Sequence, residues 1–269
     1  MSLLVWIIIF SLVGGVFSVL AASLLLLVKD EHHPHILPHL VSYSIGALLG
    51  AAFLALLPHA ITSTAQVDAH EVGLAILIGL LTFFLLEKIL LWRHCHSTHC
   101  EVHSPDEIDS HHAGHGHSHI KDSSGSLIII GDGIHNMVDG VLIAAAFMTD
   151  IHLGVVTALA VAAHEIPQEL GDFAILLNSG FSRKKALFYN IVSSFTTLVG
   201  AVLAYYSLQS MQALLPYILS IAASSFIYIA VADLIPGLHK KTQLKETLQQ
   251  IVLISAGVIT IYWAHASLH

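Results

Sequence analysis

Apolar runs long enough to cross a lipid bilayer recur eight times along this chain, and that pattern limits the possible folds more than any other feature. The hydrocarbon core of a bilayer is about 30 Å thick, so a spanning helix needs about 20 mostly apolar residues. The runs lie near 3–28, 37–61, 72–92, 126–148, 152–177, 185–208, 212–236 and 248–266. Backbone in lipid has no water to bond to and must pair within its own segment, which for runs of this length means helices. An all-α membrane protein with eight transmembrane helices is therefore expected, as one multi-pass domain over residues 1–269. Of the chain, 55% is hydrophobic and only 10% charged, against about 25% charged in ordinary soluble domains. A soluble fold with this composition would expose large apolar patches. The opening MSLLVWIIIF has no basic flank and no small-residue cleavage site, so it reads as a retained first span, not a signal peptide. No basic patch suited to nucleic acid is present.

Three runs precede a polar loop at 93–124, two follow it across the short turn Thr149-Asp150, and three complete the chain, a 3+2+3 grouping. Positive charge gathers on the cytoplasmic side of membrane proteins. With the N-terminus outside, Lys29, Lys88, Arg93, Lys121, Arg183, Lys184, Lys185, Lys240, Lys241 and Lys245 all fall at or near inside ends, and these are all 10 basic residues of the chain. The expected orientation has both termini outside and the long loop in the cytoplasm. The plasma membrane, or the inner membrane of a bacterium, is the expected location.

Ionisable side chains within a span cost a few kcal/mol each and usually mark a polar interior. The fourth run contains GDGIHNMVDG, with Asp132, His135, Asn136 and Asp139. His135 and Asp139 are four apart and Asn136 and Asp139 three apart, so each pair shares a helix face. The fifth contains HEIPQELGD, with His164, Glu165, Gln168, Glu169 and Asp172. Each helix thus offers an imidazole, an amide and carboxylates at helical spacing. Neutral imidazole and carboxylate suit zinc and also accept iron, manganese or cadmium. Such ligands must be deprotonated, so binding should weaken as pH falls. No cysteine lies in a span, which argues against a copper(I) site. A dication between facing carboxylates relieves their repulsion. A purely structural hydrogen-bonded network is the competing reading, but it explains nine polar or ionisable residues on two adjacent spans poorly. Pro167 should kink the fifth helix and free a carbonyl near the ion, or else only shape packing.

HNMVDG on one span followed by HEIPQELGD on the next resembles the signature of the ZIP (zinc- and iron-regulated transporter-like) family, in particular the subgroup whose fifth span reads HExPHExGD. The likeness extends to SIGALLGAAFLALLPHA, FFLLEKILLW, GFSRKKALFYN and ADLIPGL, and so to essentially the whole chain. The resemblance implies eight spans with both ends outside, a homodimer, and divalent metal bound midway between spans four and five. By position it implies His135, Asn136, Asp139, His164, Glu165 and Gln168 as ligands, with Asp139 able to bridge two ions. It further implies transport towards the cytoplasm by rocking of helix groups, and no organic cofactor. Gln168 stands where the subgroup usually has His, Ala51 and Ala55 where relatives often have Asp and His, and Thr197 where some bacterial relatives have Glu. One well-ligated site with a weaker neighbour is therefore expected.

Accessory metal contacts are expected from Asp132, Glu169, Asp172 and Asp233, the last near the inside end of span seven. The loop adds nine histidines between His94 and His119. His94, Cys95, His96, His99 and Cys100, with His103, have plausible zinc spacing, and HHAGHGHSH reads as a flexible metal-buffering tract. The loop shows no helical period and is expected to be largely disordered. His32, His33, His35 and His39 form a second inside cluster. Glu87 and Lys88 read as an interfacial pair, and His59, His70 and Glu71 as outer residues able to gather metal. Two other readings use the same residues. An intramembrane zinc metalloprotease would use His164 as ligand and Glu165 as base, but HEIPQ lacks the second histidine of H-E-x-x-H. A cation-diffusion exporter shares the His-rich loop, but usually has six spans and a soluble C-terminal domain. A metal-sensing receptor without transport is a further class.

Overall fold

The computed structural model describes residues 2–25, 33–62, 67–95, 118–239 and 243–268. Eight long helices are present and no strand is found among the described residues. They are α1 (Leu3–Leu25), α2 (33–61), α3 (Ala69–Cys95), α4 (Ser118–Thr149), α5 (Ile151–Asn178), α6 (Arg183–Leu208), α7 (Gln212–Leu238, opening on a 3-10 turn) and α8 (Leu244–Leu268). Seven are long and apolar enough to cross a membrane on length and composition alone. The other is α5, whose 28 residues make it about 42 Å long at 1.5 Å per residue. It therefore has the length to span and is set apart by its polar residues. An all-helical bundle of this kind is a membrane protein.

Two helices run further than hydropathy suggested. The segment 93–124 was expected to lack helical structure, yet α3 continues to Cys95 and α4 begins at Ser118. Polar helical turns outside the lipid carry no apolar signal, so a search for hydrophobic runs misses them. Residues 96–117, with His96, His99, Cys100 and His103, and also His32, lie outside the described residues.

The bundle is apolar on its outside. Leu77, Leu81 and Phe84 on α3, Phe188 and Phe195 on α6, and Ile251, Ile259 and Trp263 on α8 are all exposed. Such surfaces match hydrocarbon, in which helix association depends on close packing and polar contacts. Small residues bring helices together at two crossings. A Cβ on Gly140 of α4 would collide with the Thr197 carbonyl of α6, and one on Gly200 of α6 with the Met137 carbonyl of α4. Likewise a Cβ on Gly46 of α2 would meet the Ile254 carbonyl of α8, and one on Gly257 of α8 the Tyr43 carbonyl of α2. Helix α5 packs against α1, α2 and α4, which puts its polar stripe inside the bundle.

The ends of α5 are set locally. Asp150 caps its N-terminus, accepting from the backbone N–H of His152 at 2.8 Å and of Leu153 at 3.0 Å. This satisfies two orphan donors within a one-residue hairpin. Beyond Asn178 the chain reverses through Gly180, whose φ of +92° suits glycine. Ser182 then caps α6. One turn each of α1 (Val13–Phe17), α2 (Ala51–Leu56) and α7 (Ile229–Leu234) is a π-turn, a local widening often found near functional sites.

Candidate metal centre

The facing stripes of α4 and α5 bring His135, Asp139, His164 and Glu165 into one cluster, with one ligand atom from each lying within 4.8 Å of the others. His164 Nε2 is 3.2 Å from Asp139 Oδ2 and 3.6 Å from Glu165 Oε1. His135 Nε2 is 3.4 Å from Glu165 Oε1 and 3.9 Å from Asp139 Oδ2. The two Nε2 atoms are 3.4 Å apart. A tetrahedral zinc site with arms of about 2.0–2.2 Å has edges of about 3.3–3.6 Å. The cluster thus has the size and the two-nitrogen, two-oxygen donor set of a divalent-cation cage.

Burial and hydrogen bonding fit the same chemistry. The side chains of Asp139 and Glu165 are fully buried and that of His164 is 1% exposed, whereas His135 keeps 24% and forms the open side. Neither oxygen of Asp139 nor of Glu165 has a hydrogen-bond donor. Buried carboxylates normally have donors, so these oxygens are available to a cation. His164 Nδ1 lies 3.1 Å from the Ala160 carbonyl. A carbonyl only accepts, so this contact puts the proton on Nδ1 and leaves the Nε2 lone pair facing the cluster, the usual way a metal-binding imidazole is oriented.

The remaining expected residues are placed differently. Asn136 is fully buried, but its amide nitrogen donates to Asp132 Oδ1 at 2.8 Å and its Oδ1 accepts from Thr197 Oγ1 at 2.8 Å. Its side chain therefore ties α4 to α6, and Thr197 is where the resemblance led one to look for a ligand. Gln168 is half-buried and joins none of the cluster's hydrogen bonds. Asp132, Glu165 and Glu169 form a second group of ligand atoms within 4.8 Å. The residue shared by the two groups is Glu165, not Asp139. Asp172 is half-buried and Asp233 exposed, and neither joins these groups. His94 and Cys95 end α3, with no side-chain placement described.

Three smaller expectations also change. Glu87 does not pair with Lys88: it accepts from Tyr228 Oη, while the Lys88 ammonium lies 6.0 Å from the Phe84 ring centroid. The carbonyl freed by Pro167 is that of Ala163, and it is taken by the hydroxyl of Ser44 on α2, so it is not left open for an ion. Ala51 and Ala55 are fully buried on the π-turn of α2 and contribute no donor atoms. Of the α6 residues that support the site, Thr197 was noted in the sequence, whereas Asn190 and Ser194 were not. Their trace in the sequence is the stripe Asn190, Ser194 and Thr197 at helical spacing.

Comparison with known proteins identifies the family. Residues 2–263 match the family described as ZIP Zinc transporter. Zinc transporter ZIP13 of Gallus gallus is 31% identical over 279 residues, covering 88% of this chain and 76% of its own length. ZIP13 of Pongo abelii is 30% identical, covering 92% and 73%. Zinc transporter YKE4 of Saccharomyces cerevisiae is 30% identical, covering 85% and 71%. These relatives are named as transporters and not as enzymes. With the match running over nearly its whole length, this chain belongs to the ZIP zinc transporter family.

Proposed function

We propose that the protein carries zinc, with iron, manganese or cadmium as lesser substrates, through the membrane to the cytoplasm by way of a site held by His135, Asp139, His164 and Glu165. The observation that carries this reading is the preformed cage of two imidazoles and two donor-free carboxylates inside a helical bundle. Without a cation, buried acids of this kind are costly; a passing dication removes that cost. Zinc is favoured over harder ions by the nitrogen donors and the tetrahedral dimensions. Selection of zinc by this chain also accords with the names of its relatives.

In this reading α4 and α5 form the central pair of a 3+2+3 domain spanning the whole chain. Both termini lie outside, the His-rich segment 93–124 lies in the cytoplasm as a metal buffer, and the working unit is a homodimer in the plasma membrane. The sequence HEIPQELGD makes the chain a variant of the HExPHExGD subgroup in which Gln168 replaces histidine. Proteolysis at His164 and Glu165 is not favoured: the position of the second zinc-binding histidine is Gln168, and the cage needs residues of α4 that a protease motif does not explain.

The test is zinc uptake into proteoliposomes by the wild type and by His135→Ala and His164→Ala. Each loses one of four ligands, and uptake should fall at least a hundredfold while the protein stays folded. Undiminished uptake in both variants would remove these histidines from the pathway.

A further inference from the structure

The loop-side ends of α2 and α8 enclose a polar cleft that takes no part in the metal centre. It holds about 80 Å³ and is lined by His39 and Ser42 of α2 and by Glu246, Gln249 and Gln250 of α8. The membrane-crossing stretches of these helices begin at Ile36 and Leu244, so the cleft lies within about their first two turns. When every helix crosses, the even-numbered helices all start on one face. Helix α4 starts from the His-rich segment, so the cleft opens on that same face. At this depth phospholipid headgroups give way to acyl chains, and Leu248 and Val252 of α8 are exposed there at 54% and 65%. An acid in the first turn of α8 suits the helix dipole. That accounts for Glu246 but not for the cavity beside it.

The lining is rich in hydrogen-bond acceptors. Ser42 is fully buried and donates its hydroxyl proton to the Pro38 carbonyl at 2.7 Å, so it offers the cleft lone pairs. Gln250 turns its amide nitrogen to the Leu238 carbonyl at 3.5 Å, which leaves its amide oxygen as an acceptor. Glu246 adds a carboxylate. A cation carrying several N–H donors matches this set. A bare metal ion does not: the cavity has room for roughly five or more water-sized groups. Among the described residues, neither His39 nor Glu246 belongs to a group of three ligand atoms close enough to hold an ion. A quaternary ammonium has no N–H to give and is held by Trp, Tyr or Phe rings, none of which lines the cleft. We infer that the cleft binds the primary ammonium of an aminophospholipid, phosphatidylethanolamine being the simplest. Glu246 is its counter-ion, Lys245, exposed on the same turn, is placed for the phosphate, and the acyl chains lie on the apolar surface of α8. A headgroup seated there ties together the loop-side ends of α2 and α8, just before their close crossing at Gly46 and Gly257. The assignment does not depend on which metal moves or in which direction.

Native mass spectrometry of the full-length protein in detergent tests it, with dioleoyl phosphatidylethanolamine and dioleoyl phosphatidylcholine supplied in equal amounts. The wild type should retain the ethanolamine lipid about tenfold more than the choline lipid, as one charge-assisted hydrogen bond provides. Glu246→Gln, nearly isosteric, removes the counter-ion and should bring the ratio close to one. Ser42→Ala removes one acceptor and should lower it severalfold. Helical circular dichroism and elution volume certify the fold of each variant, and should Glu246→Gln not fold, Ser42→Ala carries the test. A wild-type ratio within twofold of one, or a ratio unchanged in the folded variant, would overturn the proposal. So would displacement of the lipid by zinc ions, which would make the cleft a metal site. Displacement by an equal concentration of phosphoethanolamine would overturn it too, because the ligand would then be a soluble amine and not a lipid.

Discussion

Ser44 shows how one side chain repairs a defect that the chemistry of the site introduces. Proline at 167 has no N–H, so the Ala163 carbonyl one turn earlier loses its helical donor. Ser44 on α2, itself fully buried, donates to that carbonyl, with the Leu40 carbonyl of its own helix also in reach at 2.9 Å. A buried carbonyl left without a donor costs about 1–2 kcal/mol, so Ser44→Ala should lower thermal stability by that amount. The cost should vanish in a Pro167→Ala background, where residue 167 again supplies an N–H. A thermal-melting double-mutant cycle measures it, and an equal loss in both backgrounds would mean that Ser44 acts elsewhere. Pro167 itself was legible in the sequence, as was the carbonyl it frees. Its partner was not, because Ser44 lies 119 positions away and one of many small hydroxyl residues in apolar runs. The same limit applies to Asn136. Its spacing on the Asp139 face was readable, but its engagement with Thr197 depends on how α6 crosses α4.

At the scale of elements, hydropathy located all eight helices, since lipid requires an apolar run of defined length whatever its neighbours. It placed the loop-side ends of α3 and α4 less well, because helical turns in water follow propensity and capping. The histidines and acids of α4 and α5 were legible as two stripes. That they close into a four-atom cage, with Glu165 turned to both groups, depends on the depth and rotation of the helices. Those are fixed by close backbone crossings. Gly140 and Gly200 are reciprocal at the crossing of α4 and α6, each with a partner carbonyl where its Cβ would be. Gly171 on α5 has nothing within 4 Å of a Cβ position. Overpacking typically costs about 1–3 kcal/mol, and a clash with backbone lies at the upper end because backbone cannot change rotamer. Gly140→Ala and Gly200→Ala should therefore each lower the melting temperature and weaken zinc uptake, since moving α4 displaces His135 and Asp139. Gly171→Ala should leave melting unchanged, although it lies only two residues beyond Glu169. Equal tolerance at all three positions would mean that α4 and α6 are less closely apposed than the structure has them.

The whole molecule is a bundle with large apolar residues on its surface as well as in most of its core, and with its buried acids and imidazoles gathered between α4 and α5. That apolar surface is why composition alone could assign the class, and why the ten basic residues, all kept to one set of helix ends, could suggest an orientation. Orientation decides the direction in which the proposed site would pass metal: with the loop in the cytoplasm, the His-rich segment lies on the exit side of the cage. The chain contains its own probe, because its two cysteines, Cys95 and Cys100, both lie at the start of the His-rich segment. A membrane-impermeant maleimide should leave the wild type unlabelled in intact cells and label it after permeabilisation. Helix α4 runs unbroken from Ser118 to Thr149 for 32 residues, about 48 Å at 1.5 Å per residue, so its two ends must lie on opposite faces. Thr149 is exposed at the hairpin, and Thr149→Cys in a Cys95→Ser/Cys100→Ser background should be labelled from outside without permeabilisation. The reverse pattern would invert the orientation, and labelling of both positions from one face would mean that α4 does not cross at all.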